Sequence, residues 1–222
     1  LFMLIFATVA ALALATEWGM TYGELIPYAM PGFVAFGIAS IPAGWLADKW
    51  SRTRMMNVFF LGAGAASIAT GFATTPLQIG AGLLVIGLFA AIYHPVGIAM
   101  VVHGRVKTGM PLAINGVFGN LGVASAALVT GVIIDLYGWR TAFIAPGVFA
   151  LGLGIAYWTF QASDKREVSE AKAQKSAGTA AMALDRNVLV LIFAIIFFTT
   201  ALGGLIFQST TFALPKIFDE RL

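Results

Sequence analysis

Gly44-Trp45-Leu46-Ala47-Asp48-Lys49-Trp50-Ser51-Arg52-Thr53-Arg54 places four charges between two long apolar stretches of a chain that is otherwise almost free of charge. Crossing a hydrocarbon core about 30 Å thick takes roughly 20 apolar residues, because a helix rises about 1.5 Å per residue. A short charged segment bounded by two such stretches reads as the connection between two membrane-spanning helices on one side of a bilayer.

Reading outward from this loop gives seven apolar runs of spanning length, at about 1–18, 24–47, 55–73, 77–101, 110–135, 140–160 and 187–209. A soluble domain carries about 25% charged residues; this chain has 10%, against 59% hydrophobic residues. In lipid every backbone polar group needs an internal partner, so spans are helices or closed barrels. Runs this continuous exclude the alternating strands of a barrel. The expected fold class is all-α and polytopic.

With the N-terminus on the cytoplasmic side, the inner loops hold Lys49, Arg52, Arg54, Arg105, Lys107, Lys165, Arg166, Lys172, Lys175 and Arg186. The outer loops hold Arg140, Lys216 and Arg221. That distribution obeys the positive-inside rule. It also argues against nucleic acid as a partner, since the basic residues form no continuous stripe. The chain has no Cys, no phosphate loop of the G-x-x-x-x-G-K-[ST] type and no H-E-x-x-H pair, so no enzyme, cofactor or metal signature is present. Leu1-Phe2-Met3-Leu4 has no basic n-region, so the first run is not a removable signal peptide. It reads as a span lacking its start, and the stop at Leu222 just past the seventh run points to a fragment at both ends.

Thr21-Tyr22-Gly23-Glu24 is a capping-box pattern that opens the second span, which gives Glu24 a structural task. Pro31 and Pro42 are expected to kink that span. Gly37 and Gly44 are expected to give it a flat face for close helix contact, and Gly116, Gly119 and Gly122 a packing stripe on the fifth span. Asp135 is placed to pair with Arg140 across the corner Asp135-Leu136-Tyr137-Gly138-Trp139-Arg140. From Gln161 to Arg186 the hydropathy breaks in an Ala-, Ser-, Lys- and Glu-rich stretch, the single candidate linker; Asp185 or Asn187 then caps the seventh helix.

The opening segment resembles the loop signature G-x-L-a-D-r-x-G-r-[kr] of the major facilitator superfamily, matched by Gly44, Leu46, Ala47, Asp48, Lys49, Arg52 and Thr53-Arg54, with Ser51 in place of the second Gly. Six spans, a basic loop and a seventh span also resemble the midpoint of a twelve-helix facilitator. The resemblance implies a six-helix N-terminal bundle of two inverted three-helix repeats at 1–160, a cytoplasmic linker at 161–186, and the first helix of a second bundle at 187–222. It further implies a secondary transporter that moves a small organic solute by alternating access, driven by a coupling ion such as a proton, in a bacterial inner membrane. The C-terminal bundle is the missing partner.

By the same resemblance, Gly44, Asp48, Lys49, Arg52 and Arg54 form an inner gating latch. A carboxylate at a helix C-terminus is disfavoured by the macrodipole, so Asp48 needs a partner; the alternative is that these charges only fix topology. His94 is the sharpest group at membrane depth, where titratable side chains are functional by default. Histidine titrates near pH 6.5 in water, which suits a proton relay or a solute contact; the structural alternative is a neutral imidazole bonded to a carbonyl freed by Pro95. Tyr93, Asn120, Thr199 and Thr200 complete the candidate path, with interhelical bonding as the ordinary role of Asn120. Glu17 sits at the outer end of the first span, facing water or attracting cations.

Tyr93-His94-Pro95-Val96-Gly97 resembles the fourth helix of the fosmidomycin-resistance branch, which favours efflux. No other basic residue lies between Leu77 and Val102, and the fifth span reads Gly119-Asn120-Leu121-Gly122 where many drug/proton antiporters have a Gly-Pro pair. Two further classes fit less well: an accessory half-transporter without transport of its own, and a seven-helix receptor or retinal protein, for which Lys216 behind Pro215 is misplaced as a Schiff base.

Overall fold

The computed structural model describes residues 13–163 and 186–221, together with Ile5, Phe6 and Val9. The described residues are helical throughout, with turns between the helices and no strand. The elements are α1 (Ala15–Trp18), α2 (Tyr22–Leu25), a 3₁₀ turn (Ile26–Ala29), α3 (Met30–Lys49), α4 (Arg52–Gly71), α5 (Pro76–Ala90), α6 (Tyr93–Val102), α7 (Gly109–Tyr137), α8 (Trp139–Ser163) and α9 (Arg186–Arg221). Among the described residues five stretches are long and apolar enough to span a membrane: Tyr22–Lys49, Pro76–Val102, Gly109–Tyr137, Trp139–Gln161 and Val190–Phe207. The third predicted run becomes α4, which opens on Arg52 and Arg54 and is rich in small residues. Most of the first lies outside the described residues, where Asp185 also lies.

Two spans are broken, each near proline. The capping box forms: Thr21 N–H donates to Glu24 Oε2 at 2.8 Å and Glu24 N–H to Thr21 Oγ1 at 3.3 Å. One turn later the helix tightens into the 3₁₀ segment that carries Pro27 and runs up to Pro31. Pro42 stays inside a continuous α3. In the fourth run Pro95 has no N–H to offer the carbonyl of Ala91, so the helix stops at Ala90 and restarts at Tyr93. Ile92 N–H turns instead to Phe89 O at 3.1 Å.

The chain divides into two compact units, 1–158 and 159–222. In the first, α5 lies against both α3 and α4, and small residues set the spacing. A Cβ on Gly87 would run into the backbone of Gly32, and a Cβ on Gly64 or on Gly147 would stand 2.8 Å from the other's carbonyl oxygen. Ser67 Oγ donates to Phe143 O at 2.7 Å in the same α4–α8 contact, where both residues are buried. The expected glycine faces are therefore corrected. Among the described residues Gly37, Gly116, Gly119 and Gly122 have nothing within 4 Å of a built Cβ, and of the glycines singled out only Gly44 makes a close approach there, 3.3 Å to Pro95 Cβ. The second unit is described as the last turn of α8, from Thr159, and α9, whose side chains are exposed wherever they are described.

Candidate functional site

The charged loop is two residues long. α3 ends where Trp50 N–H donates to Leu46 O at 2.8 Å. Ser51 is extended, and its Oγ accepts from Arg54 N–H at 3.3 Å to cap α4. The residue that departs from the loop signature thus does the work of an N-cap. Behind the loop, Ala43 and Ala47 pack with Met55, Met56, Ile92 and Val96 in one buried cluster, and Gly44 rests on Pro95. Loop and helix break are thus built on the same contact.

Across that connection Asp48 Oδ1 accepts two bonds from Arg52, 2.9 Å from Nη2 and 3.2 Å from Nε. Arg54 does not join the pair; it lies over the Trp50 ring, 5.7 Å from its centroid, as Lys49 lies over Trp45 at 4.3 Å. Among the described residues Asp48 Oδ2 accepts no hydrogen bond. The Asp48 side chain is 65% exposed, so it presents a carboxylate oxygen at the rim of the unit between cations already held by their own tryptophans.

At the break in the fourth run, Tyr93 Oη donates to Asn115 Oδ1 at 3.0 Å, which ties α6 to α7. Tyr93 is half-buried against Phe59, ring centroids 5.4 Å apart. His94 is exposed and meets two rings edge-on, Phe36 at 5.7 Å and Tyr93 at 5.8 Å. It makes no hydrogen bond among the described residues, so the carbonyl-bonded alternative does not form. Asn120 is exposed and does not join this group. Five residues beyond Asn115, at about 100° per residue, it points some 140° away around the helix. Within the second unit Thr199 Oγ1 bonds its own helix, at Ile195 O (2.8 Å) and Ile196 O (3.1 Å), and Thr200 is exposed.

The sequence model of the Major Facilitator Superfamily matches residues 1–221. The chain belongs to the major facilitator superfamily. It is similar to a probable sulfoacetate transporter of Cupriavidus necator, 28% identical over 76% of this chain and 40% of the relative. A gallate transporter of Pseudomonas putida is 23% identical over 77% of this chain and 38% of its own length. A 4-hydroxybenzoate transporter of the same species is 25% identical over 64% and 32%. The chain thus spans about two-fifths or less of the length of these curated relatives.

One further cluster of this facilitator chain lies at the Gly-Trp-Arg corner. Gly138 adopts φ +80°, ψ 162°, a backbone setting open to glycine and closed to side-chain-bearing residues. The turn delivers Trp139 into a buried position where its Nε1 donates to Glu17 at 2.6 Å. Arg140 pairs with the other oxygen of Glu17 at 3.4 Å and covers the Trp139 ring at 4.4 Å. The expected Asp135–Arg140 pair is therefore replaced by Glu17–Arg140, because the left-handed glycine turns Arg140 toward the end of α1. Trp18 closes the cluster edge-on to Trp139 at 6.1 Å. Replacing Glu17 with alanine strands a buried indole N–H, which costs about 1–3 kcal/mol. The expected outcome is a lower thermal midpoint in detergent for Glu17→Ala and a smaller drop for Glu17→Gln, which keeps a carbonyl acceptor for the indole.

Proposed function

We propose that this chain is the N-terminal portion of a secondary transporter that moves a small organic acid anion by alternating access. The observation that carries the reading is the superfamily match over residues 1–221 joined to the similarity to relatives named for sulfoacetate, gallate and 4-hydroxybenzoate. Two structural facts support it. His94 is the only histidine or charged residue between Pro76 and Val102, and it stands exposed at a helix break. Polar groups at that depth face a protein interior or a water-filled cavity, not lipid.

In this reading His94 and Tyr93 line the solute path of the full-length protein. The charged loop lies on the cytoplasmic side, and Asp48 closes the inner gate by receiving a helix N-terminus of the second bundle. A proton taken up by His94 accompanies the anion, and the gradients set the direction of transport.

The test is uptake of radiolabelled 4-hydroxybenzoate, gallate and sulfoacetate into proteoliposomes holding the full-length protein, with and without an imposed pH gradient. Gradient-dependent accumulation of at least one acid is the expected result; no movement of any of them removes the reading. For the coupling step, His94→Gln is expected to flatten the dependence of transport on pH, because glutamine cannot take up a proton. An unchanged profile takes His94 out of the proton path.

A further inference from the structure

The polar cluster at the helix break has a defined chemical sense. Asn115 Oδ1 accepts from the Tyr93 hydroxyl at 3.0 Å, and among the described residues the two N–H donors of the amide meet no acceptor. Tyr93 is held in place by Phe59, which fixes the amide in turn. No Asp or Glu occurs between Asp48 and Asp135, or between Glu24 and Asp48. On α6 a cation bound beside Asn115 would therefore find no counter-charge, and on α3 and α7 the carboxylates, Asp48 and Asp135, stand near the helix ends. An anion finds amide donors and an imidazole.

A run of flat rings leads away from the amide, from Tyr93 to His94 and from His94 to Phe36. Phe36 from α3 and Tyr93 from α6 each stand near-perpendicular to the His94 ring, at interplanar angles of 81° and 75°. Aromatic rings pack edge-to-face and offset at centroid distances of about 4.5–7 Å, so a further ring laid against this corner gains contacts that a puckered ring of equal size does not.

We propose that Asn115, oriented by Tyr93, seats the carboxylate of a planar aromatic acid whose ring lies toward His94 and Phe36. Asn115 contacts the anion, Phe36 and His94 contact its ring, and Tyr93 is a positioning residue. The inference rests on the organic-acid reading above and narrows it to one chemical class and one amide.

Three probes separate charge from shape in proteoliposomes of the full-length protein: benzoate, neutral benzamide as competitor, and cyclohexanecarboxylate, which keeps the carboxylate and loses the flat ring. Wild type is expected to transport benzoate with a lower KM than cyclohexanecarboxylate. Asn115→Asp places a carboxylate against the carboxylate and is expected to raise the KM for both acids about tenfold or more, while benzamide competes as well as before. Phe36→Leu is expected to narrow the gap between benzoate and cyclohexanecarboxylate. Tyr93→Phe removes one hydroxyl from an otherwise unchanged ring and serves where Asn115→Asp fails to accumulate; it too is expected to raise the benzoate KM. Acid transport that continues with unchanged KM in these variants overturns the site and leaves the organic-acid reading standing, as does a wild type that moves sulfoacetate and no aromatic acid. A wild type that moves no organic acid overturns both.

Discussion

Alanine at Gly87 is expected to cut the amount of folded protein in the membrane severalfold, whereas alanine at Gly119 is expected to leave it unchanged or raise it. A Cβ on Gly87 points into the buried Gly32: it would collide with the carbonyl oxygen and stand 2.9 Å from the carbonyl carbon and 3.1 Å from Cα. All three atoms are backbone, so no rotamer change relieves the clash, and α3 and α5 must separate. Between helices in lipid there is little hydrophobic force to draw them together again; close van der Waals contact is what holds them. Overpacking of this kind costs about 1–3 kcal/mol, enough to change cellular abundance severalfold. Gly119 has nothing within 4 Å of a built Cβ, and alanine favours a helix over glycine by about 1 kcal/mol. Fluorescence-detected size exclusion of tagged variants measures both amounts. Equal yields of Gly87→Ala and wild type would show that the two helices do not approach as closely as the structure places them.

This contrast marks where sequence reading reaches and where it stops. Features fixed by neighbours in the chain were legible. The Thr21–Glu24 cap, the all-α class, the charged turn at Asp48 and the break four residues before Pro95 each follow from local chemistry over one or two turns. The glycine stripe Gly116–Gly119–Gly122 also read plainly as periodicity, yet periodicity names a face without naming what meets it. The glycines that touch, Gly32 with Gly87 and Gly64 with Gly147, are 55 and 83 residues apart. Pairing at that range depends on how the helices cross.

The candidate site divides in the same way. Tyr93 and His94 stood out because polar residues are rare in the fourth span, and Asp48 because it sits in a recognisable loop. Nothing in the sequence sets Asn115 apart from Asn120, and only the fold shows that Asn115 lies within reach of the Tyr93 hydroxyl. Phe36 carried no signal in a span already full of apolar residues. Glu17 and Trp139 are separated by 122 positions, and no pattern in the sequence brings them together.

Asp48→Asn is expected to lower transport by roughly ten- to a hundredfold in the full-length protein while membrane abundance stays within about a factor of two of wild type. Within this unit the charge does little for the fold. The Asp48–Arg52 pair is largely exposed, and pairs of that kind contribute about 0–1 kcal/mol. Asparagine keeps the size of the side chain and an oxygen for Arg52, and it removes an anion that the C-terminal end of α3 disfavours by about 0.3–1 kcal/mol. Lys49 and Arg54 remain over Trp45 and Trp50. What disappears is the formal charge at an oxygen that accepts no hydrogen bond among the described residues. A hydrogen bond to a charged group is worth about 1.5–3 kcal/mol, which through the affinity scale is the ten- to hundredfold loss stated. Such a loss appears in transport only if Asp48 meets its partner during the cycle. Protein that accumulates normally and fails to transport therefore assigns Asp48 to the gate. Loss of abundance in step with transport assigns the loop charges to topology, and Arg52→Gln, which leaves the Asp48 carboxylate in place, is then expected to lose abundance as well.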